Sequence, residues 1–221
     1  MQICTSSAHI KNYIEAKDIV INSGYKHEIQ WQLNLANKDF TEKDLLKEAA
    51  WVILASGFKT KIVEQFFNFI SLCFFDWENA DLIVNNKEYC RELALQRFNN
   101  YKKIDALINV AIYIKTNGFE LVHKNIINDP MSELLKLPYI GNITVWHLMK
   151  NLGINVAKPD RHVVRIANNF GYTCIQQFCS EISKLTGDPI AVVDLILWRF
   201  ATLKRDYLSH FSLIPQIEYA I

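Results

Sequence analysis

Apolar positions recur every three and four residues along nearly every long segment of the chain, which is the spacing of amphipathic helices. In 103–117, Ile104, Leu107, Ile108, Ala111 and Ile114 form one stripe, and Gly118 stands where that helix would end. A second helix is predicted over 41–57, with Thr41 and Asp44 as a capping pair, Leu45, Leu46, Ala49, Val52 and Ile53 inward, and Ser56-Gly57 as the stop. A third covers 60–77, where Val63, Phe66, Phe67, Ile70, Cys73 and Phe74 recur at helical intervals.

The helix starts carry their own signals. Asp129-Pro130 and Asp188-Pro189 each have the form of an N-cap followed by a first-turn proline, and Thr173 with Gln176 has the form of a capping box. The segment 189–203 is apolar almost all round and predicts a buried helix. No stretch alternates with period two, so the pattern implies about eight to ten short helices and an all-α fold. The polar piece 84–103 is the softest boundary, giving one lobe of 1–98 plus 174–221 and a second of 99–173.

Composition narrows this picture. A chain of 221 residues, half of them hydrophobic and 12% aromatic, can bury one substantial core or two small ones. The 24 Lys and Arg nearly balance 23 Asp and Glu, so any polyanion site must be local. Cys4, Cys73, Cys90, Cys174 and Cys179 are odd in number and scattered, which fits reduced thiols. No run reaches the roughly 18 apolar residues of a membrane span, and no signal peptide is visible. A soluble intracellular protein, cytoplasmic or nucleoid, is expected.

Two neighbouring features carry candidate chemistry. In LPYIGNITVWHL (137–148) a Gly-containing turn joins two helices, and the second resumes with Val145, Leu148 and Met149. Backbone N–H groups at such a helix start lack internal partners and suit a phosphate oxygen. These amides belong to Ile140, Gly141, Asn142, Ile143 and Thr144. In the following INVAKPDRHVVRIA, Pro159 breaks the chain and Asp160 occupies the N-cap of a helix with Val163, Val164 and Ala167 inward. A helix N-terminus favours negative charge, so capping and electrostatic catalysis are compatible in one carboxylate.

Leu137, Pro138, Ile140, Gly141 and Thr144, with Asp160 nineteen residues after Gly141, resemble the helix-hairpin-helix DNA glycosylase superfamily, whose L-P-G-[IV]-G-x-x-T-A type hairpin precedes a catalytic aspartate. The run Asp160-Arg161-His162-Val163 is most similar to the archaeal-type 8-oxoguanine glycosylase branch, and Asp194 with Trp198 resembles its C-terminal helix. Ile53 to Phe58 resembles the L-L-S-A-Q type loop that enters the base stack. The likeness spans about residues 40–205. It implies two helical lobes with a DNA cleft between them and a monomer acting on double-stranded DNA that contains a damaged base. Asp160 is implied as the catalytic residue, and Gly57, Phe58, Trp146 and Asp194 as wedge or base-pocket candidates. Lys150, Lys158, Arg161 and Arg165 are candidate phosphate contacts.

The chain departs from the family pattern in three respects. Tyr139 replaces the first hairpin glycine, and Ile143 stands where strand-cutting members carry a Schiff-base lysine. Cys174 and Cys179 lack the four-cysteine iron-sulfur pattern, so no cluster is expected. No Cys/His set has metal spacing, and the resemblance leaves room only for a monovalent cation at the hairpin. A monofunctional N-glycosylase for an oxidised or alkylated purine is therefore expected. A non-catalytic hairpin DNA-binding protein is the alternative, followed by a helical interaction protein with no DNA role.

Overall fold

Helix boundaries in the computed structural model, which describes residues 5–36 and 38–212, follow the caps and glycines of the sequence closely. In chain order the helices are α1 Thr5–Val20, α2 Lys26–Ala36, α3 Glu42–Ala55, α4 Thr60–Cys73, α5 Ala80–Asn85, α6 Lys87–Arg97 and α7 Tyr101–Asn117. They continue with α8 Phe119–Asn128, α9 Pro130–Leu134, α10 Thr144–Asn151, α11 Arg161–Asn169, α12 Ile175–Thr186, α13 Ile190–Leu203 and α14 Tyr207–His210. No strand occurs among the described residues, so the fold is all-α. Cys4 lies outside them; Cys73, Cys90, Cys174 and Cys179 form no disulfide among the described residues.

Thr41 and Asp44 form the full reciprocal capping box of α3, and Asp129 accepts from the Ser132 amide at 3.1 Å with Pro130 in the first turn of α9. Each such cap contributes about 1 kcal/mol. Gly118 closes α7 with φ +79°, a conformation that favours glycine. Two expected caps are absent. Asp188 does not cap α13; its carboxylate takes the Tyr13 hydroxyl at 2.6 Å and the Lys17 ammonium at 2.7 and 2.8 Å. Thr173 gives no cap to α12, which starts after Cys174 without a side-chain cap, and Gln176 is used elsewhere.

The predicted helix over 60–77 stops early. After Cys73 the backbone turns left-handed through Phe75, Asp76 and Trp77, with φ of 54, 50 and 62°. Burial of Trp77 holds this turn: its indole stacks on Phe74 and donates to Ser71 Oγ at 2.9 Å. Side-chain burial can override the cost of the left-handed region.

The described chain divides into two compact units, one up to Lys38 and again from Ile154, the other from Asp39 to Gly153. This division corrects the boundaries drawn at 98 and 173. Helix α7 belongs with the preceding helices because Ile104, Leu107, Ile108 and Ala111 are buried where it packs on α3, α5 and α6. Helix α11 belongs with the C-terminal helices because its Val163, Ile166 and Ala167 pack where it meets α13.

In the first unit α13 is central, touched by α1, α2, α11, α12 and α14. Its buried Val192, Val193, Ile196, Leu197 and Phe200 join Tyr13, Ala16, Phe178, Ile182 and Phe211 in one cluster. Each fully buried large apolar side chain contributes about 1.5–3 kcal/mol. In the second unit α10 packs on α3 and α9, and α8 packs on α7 and α9.

Candidate functional site

The hairpin is built from α9, a tight turn and α10. Its first helix is anchored by Glu133, buried, whose carboxylate accepts from Tyr113 at 2.6 Å and from Lys136 at 2.5 Å. Burial pushes the Glu133 carboxyl up, but these hydrogen bonds outweigh it and hold it below the usual range. The chain then steps down through Leu137 N–H to Leu134 O at 3.1 Å and Ile140 N–H to Leu137 O at 3.2 Å.

Tyr139 has φ +66°, so the turn keeps the left-handed geometry of a glycine with a tyrosine in its place. The ring is half-exposed. Gly141 itself has ordinary φ; its N–H donates to Thr144 Oγ1 at 2.8 Å, and its carbonyl accepts the Val145 N–H at 2.9 Å. Ile140 is buried and its amide is engaged. Of the five hairpin residues, only Asn142 and Ile143 combine an exposed position with an amide that has no partner among the described residues. Ile143 is 73% exposed.

Asp160 lies in the other unit, at the start of α11. Its Oδ1 accepts the His162 N–H at 2.9 Å, while Oδ2 has no hydrogen-bond partner among the described residues. The preceding segment is pinned from two sides. Gln176 of α12 accepts from Ala157 N–H at 2.9 Å and donates to the Ala157 carbonyl, and Asn155 Oδ1 accepts the Ala191 N–H at the start of α13 at 3.0 Å. The His162 ring is held by Tyr207, with Nδ1 3.0 Å from the hydroxyl and the rings edge-to-face. Gln176, Asn155 and Tyr207 are thus the support of the aspartate. Their partners are too remote in sequence for local patterns to reveal.

The basic candidates separate by burial. Arg161 and Arg165 are exposed and Lys158 is partly so. Lys150 is only 8% exposed, unlike the open phosphate contact expected of it, and stands in the run Leu148, Met149, Lys150 and Asn151 that is buried all round the end of α10. Trp146 is partly buried on α10. Asp194 is 2% exposed, inside the α13 core.

Phe58 is 41% exposed, just past the Gly57 turn (φ +79°) that ends α3. It packs edge-on against Phe98. A residue that periodicity did not single out also lies here: Lys103, buried in the first turn of α7, donates to Leu54 O and Ser56 O. Desolvation pushes its ammonium down to about 8.

Among the described residues no group of three or more His, Cys, Asp or Glu side chains gathers as a metal site, and no helix is long and apolar enough to cross a membrane. No protein-family model matches the chain, and no curated protein sequence does. One solved structure is similar in fold: an 8-oxoguanine glycosylase/lyase of Methanocaldococcus jannaschii, crystallised in complex with a 15mer DNA containing 8-oxoguanine. It aligns with TM-score 0.55 and 19% identity over 86% of this chain and 97% of that one. At that identity the likeness establishes the fold.

Proposed function

We propose that the protein is a DNA N-glycosylase that hydrolyses the bond between a damaged purine and its deoxyribose without cutting the strand. The observation that carries this reading is Asp160: one carboxylate oxygen caps α11 and the other is left for chemistry, in a fold similar to that of a glycosylase/lyase.

Cleavage of the N-glycosidic bond builds positive charge on the sugar. An anionic carboxylate stabilises that charge and orients a water for attack at the anomeric carbon. The C1′–N bond breaks and a C1′–O bond forms. The water supplies one proton to Asp160, and the departing base takes up a proton in its turn. Oδ2 is the oxygen available for this work, because Oδ1 is fixed by the His162 amide.

The amides of Asn142 and Ile143 would hold a phosphate oxygen without reading sequence. Ile143 carries no amine, so no covalent attack on the sugar from that position is available, and β-elimination has no agent there. An oxidised purine is the favoured substrate class, on the resemblance of the Asp160–Val163 run to the 8-oxoguanine branch.

Incubation with duplexes carrying single oxidised or alkylated purines tests the reading. Strand breaks should appear only after hot alkali. Breaks without alkali, or a borohydride-trapped protein–DNA adduct, would contradict the absence of lyase chemistry. No release from any duplex would remove the glycosylase reading in favour of a hairpin module that binds DNA without catalysis.

A further inference from the structure

Lys103 lies beside the buried stripe of α7 with only 4% of its surface exposed. A buried ammonium is costly unless its protons are taken up. Two are: Nζ donates to Leu54 O at 2.8 Å and to Ser56 O at 2.5 Å, the closing carbonyls of α3 and its cap. No carboxylate pairs with it among the described residues, and desolvation is the cause of its lowered pKa. The same Nζ lies 4.7 Å from the centroid of the Phe58 ring.

The Phe58 ring is therefore fixed from two sides. Lys103 covers part of one face, and Phe98 meets it edge-on with centroids 5.8 Å apart. Phe98 is itself stacked on Phe66 at 4.6 Å. The main chain beneath is closed by Phe58 N–H to Ala55 O at 3.0 Å across the left-handed Gly57. A core aromatic would not leave so much of its ring open, and an incidental surface aromatic would not be tied to a buried cation and a stacked pair. The arrangement is that of a rigid exposed platform, whose stacking on a base costs little ordering entropy.

We propose that Lys103 is the positioning residue of an aromatic wedge: its ammonium locks the Ser56–Phe58 turn and presents the Phe58 ring for stacking against the bases beside an extruded nucleotide. This rests on the DNA glycosylase reading. The cation acts through Phe58 and touches no reacting atom. Base–aromatic stacking lost by alanine substitution corresponds to about a tenfold loss of affinity.

The test uses the full chain and a duplex with a tetrahydrofuran abasic analogue beside 2-aminopurine, with an undamaged duplex as control. Phe58→Ala and Lys103→Met should each bind the abasic duplex about tenfold more weakly. Both should lose most of the 2-aminopurine fluorescence change and weaken abasic binding more than undamaged binding. The double variant should be no worse than Phe58→Ala, because one action has been removed twice. Additive losses, or wild-type binding by Lys103→Met, would overturn the proposal.

If Lys103→Met does not fold, hydrogen exchange of the wild-type Gly57 and Phe58 amides decides: slowing on addition of the abasic duplex supports the wedge, and unchanged exchange overturns it. Base release by the wild type, scored separately, keeps the two readings apart. Coupled loss without any base release leaves the wedge and removes the glycosylase. Base release by the wild type together with wild-type abasic binding by Lys103→Met leaves the glycosylase and removes the wedge.

Discussion

Gln176 holds Ala157 as a strand neighbour would: its side-chain oxygen accepts the Ala157 N–H at 2.9 Å, and its side-chain amide donates to the Ala157 carbonyl. Ala157 is fully buried three residues before Asp160, so this pair fixes the approach of the loop to the α11 N-terminus.

Gln176→Leu leaves both main-chain groups of a buried residue unsatisfied, at a cost of about 1–3 kcal/mol each. A displaced carboxylate loses catalysis steeply, so single-turnover base release should fall on the order of tenfold to a hundredfold while binding to undamaged DNA is kept. Release at the wild-type rate would show that Asp160 is positioned by its cap alone.

Tyr139→Gly relieves a left-handed tyrosine whose half-exposed ring contributes little packing. Relief of about 1–2 kcal/mol is partly offset by the greater freedom of glycine in the unfolded chain. The melting temperature should rise by about 1–4 °C. A lower Tm would mean that the Tyr139 ring anchors the turn.

Glu48 of α3 accepts from Asn151 of α10 at 2.8 Å and so ties the second hairpin helix to the adjacent helix. Burial pushes its carboxyl above the ordinary 4.5, and the Asn151 hydrogen bond only partly opposes this. A raised acid favours the fold while protonated; that contribution is complete below pH 4.5 and is lost as pH rises through the raised value. Glu48→Gln keeps the acceptor and cannot ionise. Its stability relative to wild type should climb through that window and level off above it, as chemical denaturation against pH would record. A difference that is constant with pH would contradict the assignment.

What the sequence could show was local. Thr41 with Asp44 and Asp129 with Pro130 cap as their spacing implies, because each partner lies within one turn. Asp188 had the same form, yet Tyr13, 175 residues away, takes its carboxylate. Gln176 likewise turned to Ala157 instead of capping α12. The left-handed turn at Phe75–Trp77 was invisible because 60–77 keeps helical spacing throughout, and the turn follows from burial of the Trp77 indole. The hairpin and Asp160 were legible as motifs, whereas Lys103 was not: a lysine one position before the Ile104 stripe reads as a surface charge until Leu54 and Ser56 are folded over it.

If Asp160 performs the chemistry, Asp160→Asn should all but abolish base release without unfolding the protein. Asparagine retains an oxygen for the His162 amide, so the cap and the fold should survive. Single-turnover base release from a duplex with one lesion, measured beside binding to the same duplex, should fall by about a hundredfold or more with affinity little changed. Base release by Asp160→Asn at the wild-type rate would contradict the account.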